Sequence, residues 1–179
     1  MIRNYYKEII RYDFLNKFNY KKINQIPKIK KIILNFNCKS FDIKKLAITI
    51  LTLELISTKK SVATKSKKAS INLKIRKGHP VGCKVVLKNK KMEFFLFKLL
   101  NKIFPELKNF KGLKVQKHNS INSFSFSLKD LINFNELNSN FYLFANLPTL
   151  NITVVYNSCT TKELNYFVNV LKFPLIKKS

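Results

Sequence analysis

Apolar residues recur every four positions at Tyr6, Ile10, Phe14 and Phe18. This is the spacing of one helix face, and it predicts an N-terminal helix over residues 1–20. Pro27 closes that region. Ile29, Ile32, Ile33, Leu34 and Phe36 are β-branched or apolar and predict a strand. Ser40 or Asp42 is placed to cap a second helix whose face is Ile43, Leu46, Ala47 and Ile50. Ser61 to Ser66 reads as a short basic strand. Residues 82–88 alternate, with Cys83, Val85 and Leu87 on one face and Lys84, Val86 and Lys88 on the other. Between these two strands, Lys67 to Pro80 ends in Gly78-His79-Pro80-Val81-Gly82, the chemistry of a turn. Met92, Phe95, Leu96, Leu99, Leu100 and Ile103 form a helical stripe that Pro105 is expected to stop. Ser123 to Leu128 alternates strictly and predicts a strand. Residues 130–147 read as an irregular excursion rich in asparagine and aromatics. Ile152, Val154 and Tyr156 mark another strand. Thr160 and Glu163 have capping-box spacing, and Leu164, Phe167, Val168 and Leu171 give the face of a last helix that Pro174 ends.

Hairpins mixed with single helices predict an α+β fold. The expected architecture is a two-layer sandwich, a mostly antiparallel sheet with helices packed on one face and a projecting basic hairpin loop. The other sheet face is left free. The organisation expected is a single domain over 1–179, with a core over 26–174 and the projecting loop at 67–80.

Charge changes the picture most. The 179 residues carry 35 basic and nine acidic side chains, a formal net charge of +26. A charge of this size repels itself in the compact state and calls for a polyanionic partner. It is also unevenly spread. Residues 55–91 hold 12 basic side chains and no acid, and the stretch Lys59 to Lys91 is the electrostatic footprint expected for nucleic acid. Of the basic residues, 32 are lysine, and only Arg3, Arg11 and Arg76 are arginine. Asparagine, isoleucine and phenylalanine abound while alanine and glycine are scarce, the usage of an A/T-rich genome. This points to an organelle, a mitochondrion first, with a plastid or a bacterial cytoplasm as alternatives. No apolar run approaches the ~20 residues of a membrane span, so no membrane partner is expected. The start of the chain has no signal-like apolar region, and the mature protein is expected to begin near Met1.

Catalytic chemistry is hard to place. His79 sits in a turn and His118 in a polar loop, and neither belongs to a recognisable triad. The acids are scattered, with no paired carboxylates for a two-metal nuclease. Three glycines cannot build a phosphate-cradling loop. Cys38, Cys83 and Cys159 are far apart and lack metal-ligand spacing. No enzyme, metal or cofactor is expected. The phenylalanines of Ser123-Phe124-Ser125-Phe126-Ser127 are expected to pack inward rather than stack on bases.

The basic hairpin carries a resemblance. Lys65-Ser66-Lys67-Lys68-Ala69-Ser70-Ile71-Asn72-Leu73-Lys74-Ile75-Arg76-Lys77-Gly78-His79-Pro80-Val81-Gly82-Cys83-Lys84-Val85-Val86-Leu87 closely resembles the signature of the bacterial-type large-subunit ribosomal protein five family. Phe18-Asn19-Tyr20, Ile26-Pro27-Lys28-Ile29, Ile33-Leu34-Asn35, Met92-Glu93-Phe94-Phe95, Asn109-Phe110-Lys111-Gly112-Leu113, Leu150-Asn151-Ile152-Thr153 and Phe173-Pro174 resemble further family segments in family order.

The resemblance implies a sheet face that docks on 5S and large-subunit ribosomal RNA in the central protuberance. It also implies a loop that reaches the elbow of the peptidyl-site tRNA, and contacts with neighbouring central-protuberance proteins and a small-subunit head protein. Carried over by position, the tRNA-facing loop residues are Lys67, Lys68, Asn72, Lys74, Arg76 and Lys77. The residues expected on ribosomal RNA are Lys28, Lys30, Asn35, Lys59, Lys60, Thr64, Lys65, Lys84 and Lys88. Of these, Asn35, Lys59, Thr64, Lys65 and Lys88 are carried over as sheet-side positions. The chain departs from the family where a glutamine becomes Lys59, a strand threonine becomes Val86, and glycines become Asn37 and Cys38. A non-ribosomal RNA binder or RNA chaperone is the alternative reading.

Overall fold

The strands pair in the order β2-β3-β1-β5-β4, with β1 at Ile29–Asn37, β2 at Val62–Lys65, β3 at Pro80–Leu87, β4 at Ser123–Leu128 and β5 at Leu150–Tyr156. In this computed structural model the described residues are 2–38, 42–107, 112–113, 122–157 and 160–174. The sheet is antiparallel, and with its helices it makes the expected α+β fold. Burial alternates along the strands. Ile32, Leu34 and Phe36 of β1, Phe124, Phe126 and Leu128 of β4, and Leu150, Ile152, Val154 and Tyr156 of β5 are buried. The intervening positions, among them Asn35, Ser125 and Thr153, form a second face that is far more open. Period-two side-chain alternation therefore gives this sheet one apolar and one polar face.

The chain divides into two compact units. The first comprises 1–32, 88–126 and 154–179, and the second comprises 33–87 and 127–153.

In the first unit the N-terminal helix covers residues 2–17, with a wide π turn at Tyr6–Ile10. It ends earlier than the apolar period suggests. Phe18 is extended, at φ −128° and ψ 136°, yet its ring still stacks on Phe14 at 5.7 Å. The fourth member of the stripe is thus a packing residue just outside the helix. Phe14 also meets Tyr166 at 5.1 Å and Phe167 at 5.6 Å, both on the C-terminal helix Thr161–Val170. Phe167 continues the cluster to Tyr156 of β5 at 5.1 Å.

The C-terminal helix starts with a complete capping box. The Thr160 hydroxyl accepts from the Glu163 amide, and the Glu163 carboxylate accepts from the Thr160 amide. Glu163 also accepts a hydrogen bond from the Tyr20 hydroxyl at 2.7 Å.

The helix from Asn89 does not stop at Pro105. It passes through a π turn at Leu99–Ile103 and ends at Glu106. A proline inside a regular helix removes one hydrogen bond and drives its ring into the preceding carbonyl. Here Phe104 donates back to Leu99 across the wider turn, which moves Pro105 to the start of a new segment where its missing N–H costs little.

In the second unit Asp42 caps the helix Ile43–Ser57, accepting from Lys44 and Lys45 at 3.0 and 3.4 Å. Ser40, the other expected cap, lies outside the described residues. The buried face is Leu46, Thr49, Thr52, Leu53 and Ile56, whereas the expected Ile43 and Ala47 are exposed and Ile50 is only half-buried. Thr49 and Thr52 fit in the core because their hydroxyls donate to the Leu46 and Ile48 carbonyls at 2.8 and 2.7 Å. The excursion at 130–147 contains two single-turn helices, Asn135–Asn138 and Phe141–Phe144, too short to show a period. Among the described residues no helix is long and apolar enough to cross a membrane.

Candidate nucleic-acid interface

The basic hairpin lies in the second unit. Val62 pairs with Lys84, Ala63 with Cys83, and Thr64 with Gly82, after which a bulge brings Lys65 opposite Pro80. Directly opposed residues share a face. Val62, Thr64 and Lys84 therefore lie on one side of the hairpin, and Cys83, Val85 and Leu87 are buried on the other. Burial pushes the Cys83 thiol up to about 11, with a hydrogen bond to Thr49 working in the opposite direction, so this cysteine is a neutral packing group rather than a nucleophile. Gly82 is required where β1 and β3 approach closely. A Cβ there would lie 2.3 Å from the Phe36 carbonyl oxygen.

The segment beyond β2 is an ordered hairpin rather than a loose loop. Ser66 donates to His79 at 2.8 Å and Gly78 donates to Ser66 at 3.0 Å. Nearer the tip, Ser70 and Ile75 exchange backbone hydrogen bonds of 2.8 and 3.0 Å. Lys74 closes the tip with φ 53°, and Gly78 adopts φ 88°. Ile75 is buried, while Lys67, Lys68, Asn72, Lys74, Arg76 and Lys77 are all exposed. The backbone pairing thus leaves every candidate loop cation in solvent.

The remaining candidates separate into three settings. Asn35 lies on the open face of β1, where its amide donates to Asn37 at 2.9 Å. Thr64 and Lys84 share the open face of the hairpin, flanked by exposed Lys60 and Lys65. Lys59 has a structural engagement that its position in the sequence does not reveal. Its ammonium donates to the Val86 carbonyl at 2.8 Å. Val86 lies past the last β2 partner, so its carbonyl has no strand opposite on that side, and Lys59 serves in place of one.

Lys28, Lys30 and Lys88 belong to the first unit. Lys88 is not a sheet-side residue. Strand β3 ends at Leu87, and Lys88 is the extended residue before the helix Asn89–Lys98. Lys30 shares the parity of Ile32, Leu34 and Phe36, so it lies on the apolar side of β1, opposite in sense to Asn35. The structure brings Lys28, Lys30 and Lys88 together with Lys90 and Lys91 around one cavity. The last two were not among the expected contacts, and no local pattern could have joined residues so distant in sequence. The parity of Lys30 with the buried positions was the available signal.

One stretch contrasts with all of this. From Asp130 to Thr161 there is no lysine or arginine, and Asp130 and Glu136 are its only charges. It exposes Ile132, Leu143 and Tyr142, the last 95% accessible. Phe124 and Phe126 are buried against Phe173 at 5.7 and 6.1 Å, so the Ser-Phe repeat packs inward as expected. His118 and Cys159 lie outside the described residues, as do residues 109–111. Among the described residues no cluster of metal-ligating side chains occurs.

Comparison with known proteins gives a consistent result. A family model for the C-terminus of the ribosomal protein uL5 family matches residues 80–175. The chain is 37% identical over 179 residues to large ribosomal subunit protein uL5m of Reclinomonas americana, covering 99% of this chain and 98% of that one. It is 39% identical over 176 residues to large ribosomal subunit protein uL5 of Wigglesworthia glossinidia brevipalpis, covering 97% and 98%. Against uL5 of Nitrosomonas europaea it is 36% identical over 172 residues, covering 95% of each.

Proposed function

The chain belongs to the ribosomal protein uL5 family, and from that membership we propose that it binds ribosomal RNA through the open face of its basic hairpin and meets tRNA through the hairpin tip. At the coarser level it is a structural protein of the large ribosomal subunit and not an enzyme. The observation that carries the finer reading is the hairpin itself. Its backbone is hydrogen-bonded to the tip, and its cations are all exposed.

Thr64, Lys65 and Lys84, with Lys60 beside them and Asn35 on β1, supply the ribosomal-RNA contacts of the second unit. Lys59 keeps spare donors beyond the one given to Val86. The contacts are mainly to phosphate. Lysine neutralises it and releases counterions, which gives affinity that falls steeply with salt, and such contacts fix position while RNA shape supplies selectivity. A 5S RNA in the central protuberance is the first partner. Lys67, Lys68, Asn72, Lys74, Arg76 and Lys77 form the projecting loop that meets the peptidyl-site tRNA. A contact limited to backbone and ribose accepts every elongator tRNA.

The lysine-free stretch with exposed Ile132, Tyr142 and Leu143 is suited to protein rather than RNA. It is our candidate for contact with a small-subunit head protein or a neighbouring central-protuberance protein. Relatives named uL5m and bacterial uL5 fit an organellar or bacterial ribosome, and the A/T-driven residue usage favours a mitochondrial one.

The test is ultraviolet crosslinking of the protein in its native extract, followed by sequencing of the attached RNA. Reads from 5S or central-protuberance RNA together with tRNA elbows support the whole reading. Large-subunit reads without 5S RNA remove that partner alone. Reads spread over messenger RNA overturn the reading and leave a non-ribosomal RNA binder.

A further inference from the structure

Five lysines from two distant parts of the sequence converge in the first unit. Lys28 and Lys30 come from the start of β1, and Lys88, Lys90 and Lys91 from the entry to the third long helix. Together they line a cavity of about 900 Å³ in which Glu93 is the only acid. The backbone holds both walls. The Tyr6 hydroxyl donates to the Pro27 carbonyl at 2.8 Å, and the Asn157 amide donates to the Lys28 carbonyl at 2.8 Å. On the other side, Met92 is buried and anchors the helix. Lys28, Lys30, Lys88 and Lys90 have no carboxylate partner among the described residues. Five like charges around one hollow repel each other unless an anion occupies it.

The lining also says what kind of anion. It contains no aromatic side chain on which a base could stack, and Asn89 is its one neutral polar side chain. Base recognition needs stacking or a set of edge-reading donors and acceptors. Ammonium groups alone recognise phosphate, as point charges without a fixed fork. The lysines come from two chain segments that flank the hollow, an arrangement that suits a strand passing between them better than a single enclosed nucleotide.

We propose that this cavity is a second RNA seat, in which Lys28, Lys30, Lys88, Lys90 and Lys91 hold successive phosphates of the large-subunit ribosomal RNA without reading bases. The proposal rests on the ribosomal reading above and deepens it. The protein then grips RNA with each of its two compact units, through the hairpin in one and through this cradle in the other.

The test uses the purified full-length chain and a transcript of the large-subunit ribosomal RNA from the same source. Binding is measured across a salt series for three proteins. These are the native chain, a cradle variant (Lys28→Gln, Lys30→Gln, Lys90→Gln and Lys91→Gln), and a hairpin variant (Lys65→Gln, Lys67→Gln, Lys68→Gln and Lys84→Gln). Each lost phosphate contact lowers the slope of log affinity against log salt by about 0.7–0.9. The cradle variant is therefore expected to lose about 3 from the slope, with melting unchanged. The single variant Lys90→Gln is expected to lose about 0.8, and this keeps the test open if the fourfold variant folds poorly. In ultraviolet crosslinking, the peptide containing Asn89 should carry a nucleotide remnant.

An unchanged slope for the cradle variant, beside a reduced one for the hairpin variant, overturns the cradle and leaves the ribosomal reading intact. Unchanged slopes for both overturn both. Loss of binding to anionic phospholipid vesicles with an unchanged RNA slope also overturns the proposal and reassigns the cradle to a membrane surface.

Discussion

Replacing Gly82 with alanine tests whether the close approach of β1 and β3 is what shapes the basic hairpin. An added Cβ would lie 2.3 Å from the Phe36 carbonyl oxygen and 3.0 Å from the Thr64 hydroxyl, where ordinary contact begins at 3.4 Å. The first neighbour is backbone in the middle of a paired strand, so it cannot swing aside, and β3 must move by about an ångström. Forced overpacking of this kind costs about 1–3 kcal/mol. For a chain of this size that corresponds to a fall in melting temperature of roughly 2–12 °C. The displaced element carries Thr64 and Lys84, so affinity for ribosomal RNA should fall as well, even though no charge is lost. The assay is thermal melting followed by circular dichroism, with filter binding to the RNA transcript on the same preparations. Gly78→Ala is the control. Its Cβ would meet nothing within 4 Å, but its φ of +88° strains any other residue, a cost of about 1 kcal/mol. If Gly82→Ala melts within a degree of the native chain, or is milder than Gly78→Ala, the packing argument is wrong.

Reversing the charge at the hairpin tip with Arg76→Glu and Lys77→Glu should weaken tRNA association by tenfold or more while leaving incorporation into the large subunit nearly intact; equal losses in subunit profiles and tRNA binding would refute the separation of roles. Thr160→Ala removes one half of the capping box and should cost about 1 kcal/mol, read as a small drop in denaturant midpoint. Phe167→Ala empties a fully buried site bounded by Tyr6, Phe14 and Tyr156 and should cost about 3–5 kcal/mol, enough to leave little folded protein at 37 °C. The Cys83 thiol, raised from 9.0 to about 11, favours the folded state while it is protonated. Its contribution is intact below pH 9.0 and is lost as pH rises towards about 11. Alkylation of Cys83 in the folded chain should accordingly be slow at pH 8, and fast alkylation would contradict the burial.

The strands were readable because period-two alternation is a local signal that needs no tertiary information. Ser123–Leu128 and Ile29–Asn37 fall where alternation and β-branching put them. The C-terminal helix was readable for a different reason. Thr160 and Glu163 state its first turn chemically, and both hydrogen bonds form. The second helix was misjudged in rotation because threonine counts as polar in a pattern, yet a threonine whose hydroxyl bonds back to its own helix is apolar towards its neighbours. Pro105 misled for a related reason, since the rule assumes a regular α-turn and the π turn at Leu99–Ile103 removes that assumption. At the candidate interface, the exposure of the loop cations followed from composition alone. The grouping of Lys28 and Lys30 with Lys88, Lys90 and Lys91 did not, because it depends on which turn of a distant helix lies beside the first residues of β1.

The preference for lysine constrains what this protein can recognise. Arginine presents a planar fork that reads guanine edges and grips phosphate through two parallel bonds, whereas lysine offers a compact, hydrated charge. With 32 lysines and three arginines, most cationic positions supply attraction without geometry. The side chains at the departures from the family pattern act in the same direction. Lys59 gives a donor to the Val86 carbonyl, and Val86 has no side-chain donor of its own. What remains for orientation is the scaffold: a paired hairpin, an Asn35–Asn37 pair on the open face and, in the other unit, a lysine-lined hollow. Specificity in such a protein comes from where a rigid backbone puts its charges rather than from what each charge can distinguish. This is why moving β3 by an ångström at Gly82 should weaken RNA binding without removing a single lysine.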